Sequence, residues 1–188
     1  MSLRNSSPEH PWAVRTARAS DIPAIRTLMD RAIRELMRAF LAPDEIEASF
    51  EIMGLDTQLI ADGTYFAIDD AGRLVGCGGW SARATLYGGD HTKGRSNALL
   101  DPARDAARVR AMYTDPMRAR QGIGRAILAA CEGAAMSAGF SRAELMATMA
   151  GVPLYGACGY TPIERTTATS SKGVQIPLVR MGKALPHA

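Results

Sequence analysis

A basic turn that contains two glycines, from Arg120 to Arg125, sets the strongest limit on the fold of this chain. It follows an apolar, strand-like run that ends at Thr114, and it opens a helix-like segment. Gly122 and Gly124 have no side chains, so a phosphate can approach the backbone where the first-turn amides and the helix dipole favour negative charge. This order of strand, turn and helix predicts an α/β domain with an anion-binding turn. An ordinary tight turn is the alternative.

The composition fits one globular domain. The chain has 188 residues, 47% of them hydrophobic, which suffices for one core but not for two full domains. A formal charge of +3 without clustered basic residues favours a small anionic ligand over nucleic acid. Residues 1–12 are predicted to be a flexible tail, and residues 13–185 a single domain. No apolar run is long enough for a membrane span, and the spacing of Cys77, Cys131 and Cys158 fits neither a metal site nor a disulfide framework. We therefore expect a cytoplasmic protein.

Hydrophobic periodicity and turn residues predict a strand, two helices, three strands, a helix, a strand, a short helix and final strands. The expected positions are a strand at Val14, helices from Ser20 or Asp21 and from Pro43, strands at Thr64–Ile68, Leu74–Trp80, Val109–Thr114 and Ala143–Thr148, helices at Gly122–Ala138 and Pro153–Cys158, and a closing strand at Gln175–Met181. The glycines between Leu74 and Trp80 predict that another group approaches that backbone closely. The polar stretch from Leu86 to Ala106 is expected to be a long mobile connection.

Two well-known phosphate-binding motifs do not match the turn. A Walker loop requires Lys and then Ser or Thr after its last glycine, whereas Arg125 and Ala126 follow Gly124. A dinucleotide-binding fingerprint requires a third glycine at the position of Ile127. What remains is a basic Gly-x-Gly turn and helix, followed by a strand and the segment Val152–Tyr160.

With that downstream segment, the turn resembles the paired motifs of the GNAT superfamily of acyl-CoA-dependent N-acetyltransferases. The resemblance extends from about Val14 to Leu185, and the order of the two motifs carries it. It implies a mixed α/β fold whose mostly antiparallel central sheet is splayed at the cofactor site and flanked by helices. It also implies acetyl-CoA as the acyl donor. The family's glycine motif usually begins with Arg or Gln, where this chain has Ala119.

The resemblance implies a set of donor contacts. The pyrophosphate of coenzyme A would be held by Arg120, Gln121, Gly122, Ile123, Gly124 and Arg125, the pantetheine arm by the backbone of Met112, Tyr113 and Thr114, and a further contact would come from Thr148, where many relatives carry Asn. An ordinary sheet interior explains the apolar character of Met112 and Tyr113 equally well. No metal ligand is expected.

Acyl transfer requires a neutral amine, a polarised thioester carbonyl and a proton for the leaving thiolate. By resemblance, Tyr155 matches the family's acid tyrosine, and a backbone N–H between Met112 and Thr114 would polarise the carbonyl. Glu144 is the leading candidate for the base, although it is offset by one residue from the family's position. A structural ion pair at Glu144, or a base replaced by ordered water, is the alternative.

These features favour an N-acetyltransferase that moves an acetyl group from acetyl-CoA to a primary amine by direct attack in a ternary complex. A non-catalytic coenzyme A binding or sensing module is the alternative. The acceptor is a small-molecule or peptide amine, with neither nucleic acid nor membrane as a partner. Asp90, Asp101 and Asp105 in the long connection would attract a cationic amine, or they form a solvated acidic loop beside arginines. Exposed strands near the carboxyl terminus could pair between two copies of the chain, so a homodimer is a further expectation.

Overall fold

The computed structural model describes residues 12–186, which form one seven-stranded sheet and five α-helices. The strands are β1 (Val14–Thr16), β2 (Tyr65–Asp70), β3 (Arg73–Ser81), β4 (Ala107–Thr114), β5 (Arg142–Thr148), β6 (Thr161–Thr169) and β7 (Gln175–Ala184). The helices are α1 (Ile22–Leu36), α2 (Pro43–Ile52), α3 (Thr57–Ala61), α4 (Ile123–Ser137) and α5 (Val152–Ala157). Apart from Trp12, which packs against the core, the predicted tail lies outside the described residues.

The sheet has the order β1-β2-β3-β4-β5-β7-β6. Strands β4 and β5 form its parallel pair, and the other neighbouring strands are antiparallel. A parallel connection needs a crossover, which α4 provides between these two strands. The mixed, mostly antiparallel α/β sheet predicted from the sequence is therefore confirmed.

The helices cover both faces of the sheet. One core lies under α4, whose inward side chains pack with alternate residues of β5 such as Ala143 and Leu145. A second core lies on the opposite face, under α1 and α2. A Cβ at Gly76 would lie 2.3 Å from a methyl carbon of Ile123, and one at Gly78 would lie 2.9 Å from Ile127. The predicted close approach to the glycines of β3 is thus confirmed: α4 approaches Gly76 and Gly78, Met112 of β4 also approaches Gly78, and Tyr65 approaches Gly79.

Two elements were not individually predicted. Helix α3 has only five residues, too few for a periodic pattern, and it starts where the Asp56 side chain accepts a hydrogen bond from the Gln58 amide at 3.2 Å. Strand β6 is a mostly exposed edge strand rich in β-branched residues, so it lacks the apolar alternation that marks a half-buried strand. It belongs to the final strands that the sequence predicts only as a group.

The connection between Leu86 and Ala106 is fastened to the fold rather than loose. Its base is closed by a bridge between Arg83 and Leu99. Further along, Arg95 contacts the buried Asp56 carboxylate at 2.6 Å and donates to the Gly89 carbonyl at 3.0 Å. From β4, Arg110 reaches the same carboxylate at 2.7 Å. The prediction of a mobile connection is therefore wrong, because buried ion pairs between distant segments do not show in local composition.

Candidate functional site

Strands β4 and β5 separate towards their carboxyl ends. Their pairing extends from Ala107↔Ala143 to Val109↔Leu145 and ends there. Beyond that point, within the described residues, β4 continues to Thr114 with β3 as its only strand partner. The backbone groups on its other edge are therefore open to a ligand. This is the splay that the resemblance implies.

A β-bulge at Ala111 lies where the strands separate. Between Arg110 and Tyr113, β4 has one residue more than the facing stretch of β3, and Ala111 has a φ of 51°. Such a left-handed conformation is uncommon for a residue with a side chain and requires support from its surroundings. Tyr65 provides it, because its buried hydroxyl donates a hydrogen bond of 2.7 Å to the Ala111 carbonyl. Bulges of this kind redirect a strand next to a site.

A cavity of about 670 Å³ opens along the separated edge of β4. One part of its lining is the second half of β4 together with the glycine turn, and another part is the end of β5 with α5. The rest comes from the carboxyl end of α1, the residues around Met53, and Leu86 to Gly88 of the fastened connection. Its size is that of a small-molecule site.

The glycine turn has the geometry of an anion cradle. Gly122 precedes α4 with a φ of 89°, and Arg120 is also left-handed at 63°. The first amides of α4 have no acceptor within the helix and point towards the turn. Arg120 and Arg125 are exposed at the cavity, and within residues 12–186 neither has an ion-pair partner. Arg118, by contrast, is paired with Asp70 and does not line the cavity.

Tyr155 lies on α5, and its ring faces the same cavity. A Cβ at Gly151 would lie 2.8 Å from that ring, so the glycine leaves room for it. The ring contacts Tyr160 edge-on, with centroids 6.0 Å apart. Within the described residues the Tyr155 hydroxyl has no hydrogen-bond partner, and burial, followed by nearby Cys131, raises the pKa of this phenol well above its usual value. The group therefore stays protonated at neutral pH.

The other predicted donor contacts also line the cavity. The Met112 side chain packs over Gly78 on the α4 side of the sheet. Tyr113 is buried on the opposite side, and its hydroxyl donates to the Gly54 carbonyl at 3.3 Å. The Thr148 hydroxyl accepts from the Gly151 amide at 3.3 Å at the turn into α5. The side chains of Met112 and Tyr113 thus belong to the sheet interior, while their backbone lies on the edge that β5 leaves open; binding of the pantetheine arm there stays a prediction.

Glu144 does not line the cavity. It pairs with Arg108 at 2.5 Å and with Arg180 at 2.7 Å, and its side chain is 18% exposed. Both arginines contact the same carboxylate oxygen, and Glu144 does not line the cavity, so it is not placed to take a proton from an amine bound there. The geometry matches the structural ion pair that the sequence left as an alternative, and it does not support a base at Glu144.

Several cavity residues were not identified from the sequence. They are Leu36 at the end of α1, Met37 and Phe40 just after it, and Leu86 with Tyr87. The sequence also gave no sign of Tyr65, which supports the bulge from outside the cavity lining. The only local signal was the apolar pair Leu86-Tyr87 within a polar connection. The acidic residues of that connection do not line the cavity, and Asp90 instead accepts from the Thr57 amide at 3.0 Å.

A comparison with protein families identifies the family to which the chain belongs. The model of the acetyltransferase (GNAT) family matches residues 29–160, more than half of the chain. The chain belongs to the GNAT acetyltransferase family. The resemblance drawn from the glycine turn and the Tyr155 segment is therefore confirmed, and the protein is an acyltransferase enzyme.

Solved GNAT structures share the fold at low sequence identity. A GCN5-related N-acetyltransferase from Rhodopseudomonas palustris is 18% identical with a TM-score of 0.68, over 98% of this chain and 100% of that chain. The putative acetyltransferase yncA from Salmonella typhimurium, solved with acetyl-CoA, is 18% identical with a TM-score of 0.62, over 95% and 96%. The PaiA N-acetyltransferase from Thermoplasma acidophilum, in complex with coenzyme A, is 10% identical with a TM-score of 0.62, over 93% and 99%. At these identities the likeness shows the fold alone.

Three features are absent: a match to a functionally curated protein and, among the described residues, a membrane-spanning helix and a group of metal-ligating side chains. No functionally curated protein matches the chain by sequence. Among residues 12–186, no helix combines the length and the apolar character that crossing a membrane requires. In the same part of the chain, no three His, Cys, Asp or Glu side chains are grouped as the ligands of a metal ion would be.

Proposed function

We propose that this GNAT enzyme transfers an acetyl group from acetyl-CoA to a primary amine, by direct attack of the amine while both substrates are bound. The observation that carries the proposal is a single cavity lined by the glycine turn, the open edge of β4 and the Tyr155 side chain. Acetyl-CoA supplies an activated acetyl thioester. Binding, orientation and proton transfer are the work of the chain's own residues.

The donor end of the site is the glycine turn. Free amides from Ile123 to Arg125 can donate to a pyrophosphate, and the guanidinium groups of Arg120 and Arg125 add charge-assisted bonds. Gln121 is exposed beside them. The missing side chain at Ala119 is compatible with this arrangement, because backbone amides and two unpaired arginines supply the contacts.

The pantetheine arm fits between β4 and β5. Its amides match a strand ladder, so the open backbone from Met112 to Thr114 can pair with them as with an added strand. Thr148 lines the opposite side. A backbone N–H of the same β4 segment is assigned to the thioester carbonyl, where it stabilises the negative charge that develops on the oxygen during attack.

The proton balance involves Tyr155. As the new C–N bond forms and the C–S bond breaks, the amine nitrogen loses one proton and the sulfur gains one. The phenol, which is protonated and has no internal partner, is suited to donate to the leaving sulfur. The proton lost by the nitrogen restores the phenol, directly or through water, so no other reactant is required.

Steady-state kinetics test this proposal. Thiol release from acetyl-CoA is followed with and without a panel of primary amines, and acetylated products are identified by mass spectrometry. We expect release that requires an amine and double-reciprocal lines that intersect, because both substrates bind before chemistry. Parallel lines would indicate a covalent acetyl-enzyme and contradict direct attack. Tight binding of acetyl-CoA without turnover of any amine would favour the non-catalytic module.

The donor end is tested separately with a truncated donor. Arg120→Ala and Arg125→Ala should each raise KM for acetyl-CoA by about tenfold, roughly one charge-assisted hydrogen bond at an exposed site. S-acetylpantetheine lacks the pyrophosphate, so its KM should be the same in wild type and both variants. Arg118→Ala is the matched control, because that arginine is paired with Asp70. An equal loss with both donors would rule out pyrophosphate binding by these arginines.

A further inference from the structure

One part of the cavity is left over once the donor contacts are assigned. This part, here named the acceptor wall, includes Leu36, Met37, Phe40, Met53, Leu86 and Tyr87. Its side chains are aliphatic or aromatic, and the Tyr87 phenol is the one polar side-chain group among them. Phe40 and Tyr87 remain 47% and 40% exposed, so they form an open apolar rim. An acceptor with an apolar body gains free energy by covering them.

No carboxylate or imidazole among residues 12–186 lines the cavity. Its charged lining consists of Arg110, Arg120 and Arg125. The latter two belong to the glycine turn. The Arg110 guanidinium is buried, pairs with Asp56 at 2.7 Å and donates to the Gly88 carbonyl at 2.8 Å. The acceptor wall therefore offers a cation no carboxylate or imidazole, and only the faces of the Phe40 and Tyr87 rings could attract it.

Six carboxylates on the neighbouring elements are already engaged, whereas Asp44, at the exposed start of α2, has no partner among the described residues and does not line the cavity. Their partners are Arg31 for Glu35, Arg34 for Glu47, the Ser171 amide for Glu51, Arg95 and Arg110 for Asp56, the Thr57 amide for Asp90, and Arg108 and Arg180 for Glu144. A protonated amine at the acceptor wall would lose hydration without gaining an ion pair, which is unfavourable. It would also find no side-chain base to remove its proton before attack.

We propose that the acceptor is an apolar primary amine of low basicity, such as the α-amino group of an apolar amino-acid amide. This inference rests on the proposed acetyl transfer and specifies its acceptor. An α-amine has a pKa of about 7.7–8.0, whereas an alkylamine such as a lysine side chain has one of about 10.4. Near neutral pH the uncharged fraction of the α-amine is therefore larger by roughly two to three orders of magnitude. Because a substantial fraction of an α-amine is already uncharged near neutral pH, no side-chain base is needed to remove a proton before attack.

A matched pair of acceptors tests the inference in the intact enzyme. Leucinamide and 3-methylbutylamine carry the same branched body, and they differ in the carboxamide that lowers the amine pKa. At a pH of about 7, kcat/KM should be roughly tenfold higher for leucinamide, because its larger uncharged fraction is only partly offset by the lower nucleophilicity of its less basic nitrogen. For 3-methylbutylamine, kcat/KM should rise about tenfold per pH unit, whereas for leucinamide it should level off above a pH of about 8. Spermidine, a polycation, should be at least as poor as 3-methylbutylamine.

A charge added to the rim provides a second test. Phe40→Asp places a carboxylate at the acceptor wall, and it should shift the preference towards 3-methylbutylamine by about two- to fivefold, the size expected of an exposed ion pair. Phe40→Asn is the matched control and should keep the wild-type preference. Because Phe40 is half-exposed, both variants are expected to fold.

The outcomes separate this inference from the proposed function. Efficient acetylation of spermidine, or a kcat/KM for 3-methylbutylamine that does not depend on pH, would overturn the inference while leaving acetyl transfer intact. An unchanged preference in Phe40→Asp would overturn the assignment of the acceptor wall. Failure of every amine, with acetyl-CoA still bound in calorimetry, would overturn the proposed transfer and this inference with it.

Discussion

The two halves of β4 belong to one continuous strand but have different surroundings. The first half, Ala107–Val109, pairs with β3 on one side and β5 on the other. The second half, Ala111–Thr114, pairs with β3 alone and lines the cavity. The bulge at Ala111 marks the change. We refer to these segments as the closed half and the open half of β4.

The difference shows that backbone pairing, rather than side-chain burial, distinguishes the two halves, and on the proposed function only the open half binds the cofactor. Closed-half residues all pair with β5, and Arg108 and Val109 also pair with β3, so their neighbours contribute to the sheet. Open-half residues keep core side chains such as Tyr113 while exposing backbone groups to a ligand. Substitutions beside the open half should therefore lower activity, and substitutions beside the closed half should lower stability.

The largest effect is expected opposite the open half, at Tyr155. Replacing Tyr155 by Phe removes the hydroxyl that faces the cavity, and kcat should fall by about 10²- to 10⁴-fold, the usual contribution of general acid catalysis. Acetyl-CoA binding, measured by calorimetry, should be unchanged. Tyr160→Phe is the control, because that ring contacts Tyr155 but does not line the cavity. Full activity of Tyr155→Phe would remove this residue as the acid.

The bulge itself can be weakened through Tyr65. Tyr65→Phe leaves the Ala111 carbonyl without its 2.7 Å hydrogen bond, so the open half should lose its fixed position. We expect kcat/KM for acetyl-CoA to fall by roughly tenfold or more, consistent with about 1–3 kcal/mol for a buried unpaired carbonyl. Tyr160→Phe is the control, because it also removes a buried hydroxyl but one that neither contacts the bulge nor lines the cavity. Equal losses in kcat/KM from both variants would show that Tyr65 has no special role in positioning β4.

Beside the closed half, Glu144 should affect stability and not catalysis. Glu144→Gln removes the charge shared by Arg108 and Arg180, and the free energy of unfolding should fall by about 1–3 kcal/mol because the pairs are partly buried. The change in kcat should stay within about threefold, well below the loss expected from removing a general base. Urea unfolding and steady-state assays on the same preparation measure both quantities. A loss of kcat by a factor of about 100 would restore Glu144 as the base.

The smallest effect concerns Cys77, which faces Tyr113 across the β3–β4 pair. Burial raises the pKa of this thiol from 9.0 to about 12, although the Tyr65 hydroxyl partly offsets the shift. Below a pH of about 9 the folded and unfolded states both hold the proton, so stability does not depend on this group. Between the two pKa values only the unfolded state releases it, and stability falls by up to about 1.4 kcal/mol per pH unit.

Thermal unfolding at pH values from about 7 to 10.5 measures this loss of stability. Cys77→Ala should make the decline above a pH of about 9 shallower by up to one proton. Cys158→Ala is the control, because that thiol is only partly buried. Identical slopes for wild type and Cys77→Ala would exclude the contribution of the thiol.

Much of the fold could be predicted because its signals are local. The helix expected at Gly122–Ala138 extends from Ile123 to Ser137, and the strand expected at Ala143–Thr148 begins one residue earlier, at Arg142. Periodic apolar residues and glycines at helix ends depend on neighbours within a turn or two. Family membership and an acetyltransferase activity followed from two such local motifs in the right order. The donor contacts and the acid Tyr155 remain predictions that the experiments above can test.

The rest of the site depends on contacts between distant segments. The residues near Glu144 in the chain give no sign that its carboxylate will pair with Arg108 and Arg180. The sequence therefore could not decide between a catalytic base and a structural ion pair. Composition likewise predicted a mobile connection after Leu86, since a polar segment gives no local sign that Arg95 will reach the buried Asp56. These ion pairs form only when separate elements pack together.

By itself, the sequence determined most of the order of elements, the glycine turn before α4 and the family, because backbone conformation there follows from nearby side chains. Only the tertiary structure decided where β4 separates from β5, which carboxylates are engaged and which side chains form the acceptor wall. The physical reason is that a strand bulge, a buried ion pair and a cavity lining each require residues from several elements. The bulge at Ala111, for example, depends on a hydroxyl from Tyr65 in another strand.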